Sequence, residues 1–377
     1  MTSLSLWQVR NLRNGEDMNR IWSIGVLWLT VSSVYGEEPN PTEPQSAILN
    51  LRESSYFSNP VQLTTGGSNA ECYWRPDGKG FIFQSTRGSF TADQIYTMAA
   101  DGKSQQLVST GGGRTTCGYF FPDGQRILYA STHAFSAEVP PRPDRSKGYV
   151  WPCYSSYEIF VAQSDGTSLR QLTKNQYYDA EATVCWSTGK VVFTSDRNGD
   201  YELYTMDLDG SNLRQITDTL GYDGGAFFSS DGSKIVWRAS RPKTPVEVQE
   251  YRSLLKEHLV KPMQVEVFVA NADGSEVRQL TDNGAANFAP YFFPDGKHII
   301  FSSNMHNPES RSPDFDLYMM KTDGSNIGRL TFDPAFDAFP MFSPNGKKLV
   351  WVSGRGAESR YEFNVFVADW KGNTVGK

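Results

Sequence analysis

Residues 179–217, DAEATVCWSTGKVVFTSDRNGDYELYTMDLDGSNLRQIT, decide the fold. They divide into four short apolar-rich runs, DAEATV (179–184), KVVFTS (190–195), YELYTMD (201–207) and LRQIT (213–217), separated by turns built from Gly, Asp and Asn. Glycine accepts the positive φ that tight turns need, so Asp-Gly between such runs marks a hairpin. Two hairpins in succession make a four-stranded antiparallel unit, the blade of a β-propeller.

Outward from this stretch the same two turns alternate along the chain, and a fixed repeat of this length points to an array of identical units. The first turn appears as RPDG ending at Gly78, FPDG at Gly124, SSDG at Gly232, FPDG at Gly296 and SPNG at Gly346, with a degenerate CWSTG ending at Gly189. The second appears as MAADGKS around Gly102, AQSDGTS around Gly166, MDLDGSN around Gly210, ANADGSE around Gly274, MKTDGSN around Gly324 and ADWKGN around Gly372. The sixth copy has its third strand (364–368) but no RQLT-type run after it. Pro60-Val61-Gln62-Leu63-Thr64 reads like the QLT strands at Leu172, Leu280 and Leu330, so this N-terminal strand is expected to complete the last blade and remove two sheet edges. The predicted fold is all-β: a six-bladed propeller over residues 60–377 with one short helical insertion.

The PDG turns and the LYTMDLDGSNLRQIT pattern resemble the repeats of the TolB-like and related WD-like propellers over residues 60–372. The resemblance implies a six-bladed propeller and a binding role in a bacterial envelope. TolB itself carries an α/β domain before its propeller, and residues 37–59 are too short to hold one.

Composition agrees with one large β domain. The 377 residues are 38% hydrophobic and 13% aromatic, and 33 Gly with 20 Pro favour turns over long helices. A net charge of −6 with interspersed signs excludes the basic footprint of a nucleic-acid binder. Arg20 followed by the apolar run IWSIGVLWLTVSSV (21–34) has the shape of a signal peptide over residues 1–36, with translation starting at Met18 as an alternative. Uncleaved, it would be the one membrane attachment. A Pro-rich linker spans 37–59, and a monomer in the periplasm or outside the cell is expected. Export would put Cys72, Cys117, Cys153 and Cys185 in an oxidising compartment, where three complete pairings are open; Cys72 and Cys117 fall in strands and read as buried free thiols.

The loops joining second to third strands share a face with those joining blades, and the long insertions are of that kind: 133–155, 240–264 and 304–313. In the second of these, Thr244-Pro245-Val246-Glu247 is a capping box with Pro at the first helical position, followed by Tyr251, Leu254, Leu255 and Leu259 at helical spacing, a stripe expected to pack on the propeller. Rim candidates for a protein or glycan partner are Arg142, Tyr149, Trp151, Arg238 and Arg241. Alignment on the turns also brings Asn69, Thr115, Asp179, Asp223, Asn287 and Asp337 into register at the channel mouth. One reading is a polar funnel that takes calcium, with Asp179 and the nearby Glu181 as ligands; the other, preferred here, is that Asx residues cap strand-initiating turns.

No G-x-S-x-G or H-E-x-x-H motif is present, so the chain reads as a binding module that needs no cofactor. The alternative is a metal-assisted propeller enzyme acting on polysaccharide or peptide. Pectin-fragment lyases with propellers use a His-rich metal site, but His133 and His306 lie in rim loops without neighbouring His or Gln and read as surface histidines, while Asp196, Asn198 and Asp200 in SDRNGD read as a hairpin turn.

Overall fold

A computed structural model describes residues 45–46, 49–309 and 314–372; the signal-peptide segment lies outside the described residues. Six antiparallel sheets follow one another around a ring. Blade 1 consists of Ser68–Trp74, Gly80–Thr86, Gln94–Ala99 and Gln106–Leu107, and blade 2 of Thr115–Phe120, Arg126–Ser131, Glu158–Gln163 and Arg170–Gln171. Blade 3 is Asp179–Cys185, Lys190–Ser195, Glu202–Asp207 and Arg214–Gln215, and blade 4 is Asp223–Phe228, Lys234–Ala239, Glu266–Asn271 and Arg278–Gln279. Blade 5 is Asn287–Phe292, His298–Ser303, Asp316–Lys321 and Gly328–Arg329.

Blade 6 takes Asp337–Phe342, Lys348–Ser353 and Asn364–Trp370 from the C-terminal part of the chain and Phe57–Gln62 from the N-terminal part, as the QLT pattern predicts. Phe57 faces Trp370 and Gln62 faces Phe366 across this clasp, and Gln45–Ser46 adds a short outer strand. A buried charge network pins the entering segment: Glu53, 1% exposed, pairs with Arg355, which also holds Asp337 at 2.7 Å.

Second strands are packed on both faces by neighbouring blades, so they read as unbroken apolar runs rather than alternating ones. Phe81-Ile82-Phe83, Val191-Val192-Phe193 and Ile235-Val236-Trp237 are all 0% exposed. A hydroxyl fastens the thin outer strand of every blade. Ser109, Thr173, Thr217, Thr281, Thr331 and Thr64 each accept the backbone N–H of the second residue of the third strand at 2.8–3.0 Å. Five of them donate in turn to the side chain that opens that strand, such as Thr281 to Glu266 at 2.5 Å. The Thr of the QLT signature is therefore a clasp, and a buried hydroxyl bond of this kind contributes about 1 kcal/mol net.

The Asp-Gly turns also set the spacing between blades. Gly274 has φ +86°, and a Cβ there would lie 2.4 Å from the Ile216 carbonyl of the preceding blade. Only glycine supplies both the left-handed backbone and the close approach.

Helix α1, Pro245–Leu255, forms as the capping box predicts: Glu247 N donates to Thr244 Oγ1 at 3.3 Å, and Thr244 N to Glu247 Oε2 at 2.9 Å. Tyr251 and Leu254 pack inward, but Leu259 is not part of the helix. The chain turns left-handed at His258, φ +55°, and Leu259–Val260 instead pairs with Trp151–Pro152 of the blade 2 insertion. All four cysteines are buried and unpaired.

Candidate functional site

The insertion-bearing face carries a built roof. The short ribbon between Trp151–Pro152 and Leu259–Val260 knits two insertions from different blades. Beneath it Tyr154, Tyr157, Tyr178, Tyr201 and Tyr222 run in a row with centroids 5.7–6.2 Å apart, mostly edge to face. Tyr251 joins this cluster and donates its hydroxyl to Asp200, anchoring the helix to the disc. Asp200 also accepts Gly221 N at 3.1 Å and Asp196 accepts Tyr178 N at 2.8 Å, so SDRNGD fastens loops.

The six aligned strand-initiating residues are in register as the turns imply, but none opens to solvent: Asn69, Thr115, Asp179, Asp223, Asn287 and Asp337 are each 0% exposed. Four are locked to an arginine just past the second strand of their own blade. Asn69 accepts from Arg87, Asp179 from Arg197 at 2.6 Å, Asp223 from Arg241 at 2.7 Å and Asp337 from Arg355 at 2.7 Å. Asn287 accepts from Ser303 at 2.7 Å and donates to Glu266 of the preceding blade at 2.9 Å. These contacts tie strands and blades together.

The channel itself is filled. Every inner strand has a bulge, and the residue two past the aligned polar position takes positive φ: Glu71, Cys117, Glu181, Gly225, Ala289 and Phe339. These six line a central cavity of about 10 Å³, room for one water. Below them Tyr73 of blade 1 meets Phe227 of blade 4 edge-on across the ring at 5.4 Å, and Tyr119 and Tyr291 complete an aromatic plug. An open polar funnel is therefore absent.

Glu181 is wholly occupied by protein donors: Arg238 Nη2 at 2.6 Å, Tyr222 OH at 2.7 Å, Thr194 Oγ1 at 2.9 Å and Gly225 N at 2.9 Å. Its partner Asp179 points to Arg197, so the two do not converge on an ion. Gly224 and Gly225 make the room: a Cβ at Gly225 would lie 2.1 Å from Arg238 Nη1, and φ there is +61°. Glu71 across the cavity has an oxygen shut off without a hydrogen bond, and burial pushes its carboxyl up to about 7. Glu71 and Cys117 lie two residues beyond the aligned polar row and so were findable as channel residues from the sequence, whereas Tyr222, just before Asp223, carries no such signal.

Of the rim residues, Arg142 and Tyr149 are exposed, Tyr149 at 65%. Trp151 is half-buried, donates Nε1 to Tyr149 OH at 3.1 Å, and covers the Arg238 guanidinium at 5.0 Å. Arg238 is not a rim residue: at 6% exposure it points into the channel from a strand interior. Arg241 lies over the Phe268 ring with its charge spent on Asp223.

Two open clefts flank helix α1. One of about 280 Å³ has mixed charge from Arg241, Lys243, Glu250, Lys261 and Asp282; the other, about 620 Å³, is lined by Asp196, Asp200, Glu202, Asp218 and Arg252. Burial, reinforced by the facing Asp223, raises the Glu202 carboxyl. On blade 5, His306 Nε2 stands 3.2 Å from Asp314 Oδ2 and 3.3 Å from Asp316 Oδ2, a grouping not visible as a motif.

Residues 253–375 match the family model of the TolB β-propeller domain. The chain folds as a six-bladed propeller, and its C-terminal third matches the TolB β-propeller domain. Among solved structures, the chain is similar to a putative TolB from Agrobacterium tumefaciens (TM-score 0.55, 20% identity, 82% of this chain and 92% of that one). TolB from Acinetobacter baumannii aligns with TM-score 0.52 and 17% identity over 80% of this chain but only 63% of its own length, less than two thirds. An oligogalacturonate lyase in complex with manganese aligns with TM-score 0.52 and 12% identity over 88% and 97% of the two chains. At such identities the shared property is the fold. No protein of curated function matches the sequence.

Proposed function

We propose that this TolB-like propeller is an exported, non-catalytic binding module that recognises an envelope protein or glycan over its insertion-bearing face. The observation that carries the reading is where large apolar side chains stay exposed. Phe135 (82%) and Tyr149 (65%) stand on the blade 2 insertion, Val246 (76%) and Met263 (47%) on that of blade 4, and Tyr361 (74%) on the loop of blade 6. Exposed apolar residues grouped on one face and rimmed by charge mark contact surfaces. Arg142, Tyr149 and Trp151 are the proposed contact residues; Trp151 lies in the ribbon and holds Tyr149 by a hydrogen bond, which lowers the ordering cost of binding. Among the described residues no helix is long and apolar enough to cross a membrane, which is compatible with a periplasmic or secreted chain.

The test is capture from bacterial envelope extract by the chain beginning near Glu37, compared with an Arg142→Ala, Tyr149→Ala double variant. The reading requires a partner retained by the first and lost by the second at unchanged melting temperature. Equal capture by both would refute it.

A further inference from the structure

Blade 5 departs from the repeat at four neighbouring positions. Where blades 1, 3, 4 and 6 place Arg87, Arg197, Arg241 and Arg355, blade 5 has Met305, followed by His306. Its third strand opens with Asp316, one methylene shorter than Glu158, Glu202 and Glu266 at the same place, and Arg329 stands where Gln171, Gln215 and Gln279 do in their blades. These changes converge in space. His306 Nε2, Asp314 Oδ2 and Asp316 Oδ2 lie together within 4.8 Å.

The group is held in place and left unsatisfied. Tyr318 OH, 3.1 Å from His306 Nδ1, orients the imidazole and leaves Nε2 facing the carboxylates, as the outer contacts of metal-ligating histidines do. Thr331 donates to Asp316 Oδ1 at 3.0 Å. Asp316 is 0% exposed, with its Oδ2 also in an ion pair with Arg329, while His306 Nε2 and Asp314 Oδ1 have no hydrogen bond among the described residues. Two carboxylates and one guanidinium meet here, and both carboxylates face the imidazole Nε2. Donor atoms 3.2 and 3.3 Å apart are spaced as ligands bonded at about 2.1 Å to a common ion would be.

We infer that His306 Nε2, Asp314 and Asp316 bind one divalent cation of the manganese or zinc type on the insertion-bearing face of blade 5. One imidazole nitrogen with two carboxylates favours these ions over calcium, which takes oxygen ligands alone. Three protein ligands leave further coordination positions for water or a ligand oxygen. This site is separate from the aromatic rim and does not depend on it.

The experiment uses the tag-free mature chain, stripped with chelator and titrated separately with Mn²⁺ and Zn²⁺ by calorimetry, with metal content measured after dialysis. Variants His306→Gln and Asp314→Asn change partly exposed groups and spare the Asp316–Thr331 clasp. The expected result is about one equivalent bound by the wild type, at least tenfold weaker binding in each variant, and melting temperatures of the stripped proteins within a degree or two of one another. The competing arrangement is a proton in place of the ion. If neither metal binds stoichiometrically, or both variants bind like the wild type, the metal site is wrong; an imidazole that titrates identically with and without metal in NMR spectra would establish the proton.

Discussion

The two faces of the disc are built from one repeat and have opposite characters. On the face of the tight turns, exposed Leu169, Leu213, Val277 and Ile327 occur at equivalent positions in blades 2 to 5, spaced singly around the ring. On the other face exposed Phe135, Tyr149, Val246 and Met263 sit in the blade 2 and blade 4 insertions, propped by a helix, a ribbon and a row of tyrosines. Periodic exposure follows from the repeat and asks for no further explanation, whereas exposure that breaks the period is a property of this chain. The buried polar groups between the faces serve stability, and recognition is what we propose for the rim.

Arg238→Met should have the largest effect. It leaves Glu181 buried without its cation, a loss of about 3–5 kcal/mol in denaturant unfolding; a loss under about 1 kcal/mol would return the channel cluster to the list of functional groups. Next is the pH dependence set by Glu71. Its pKa in the folded chain is raised from 4.5 to about 7, so the stability it contributes is fully present below about pH 4.5 and is lost as pH rises through 7. Glu71→Gln should flatten the slope of unfolding free energy against pH in that window, and an unchanged slope would mean the carboxyl is hydrated.

Thr281→Val removes the hydroxyl that serves both Val267 N and Glu266, for an expected loss of about 2 kcal/mol. Thr244→Ala should cost about 1 kcal/mol and speed amide exchange in helix α1 while leaving the six blades unchanged, separating the roof from the disc.

The blades, the N-terminal clasp and the helix start were legible because each rests on local chemistry: Asp-Gly turns, the QLT strand, and Thr244 with Glu247. The outer end of the helical stripe was not, since Leu259 is apolar for a ribbon partner 107 residues upstream at Pro152. Arg238 was placed on the rim because SRPKTP follows close behind it, yet it lies within a buried second strand and its side chain reaches the central cavity. The funnel failed for a different reason. Register alone placed the Asx row correctly, but whether those residues face water depends on ring closure and on the bulges that bring Tyr73 and Phe227 together across the axis. His306 was read as a surface histidine without partners because a loop insertion separates it from Asp314 and Asp316, and only the folded blade brings the three together.

The most direct test of the two-face account is envelope capture by paired surface variants of matched stability. Tyr149→Ala with Arg142→Ala alters the insertion-bearing face, and Leu213→Ser with Val277→Ser alters the turn face; each single change should shift stability by no more than about 0.5 kcal/mol. Loss of the partner in the first pair and full retention in the second is the predicted result. Loss in the second pair with retention in the first would contradict it.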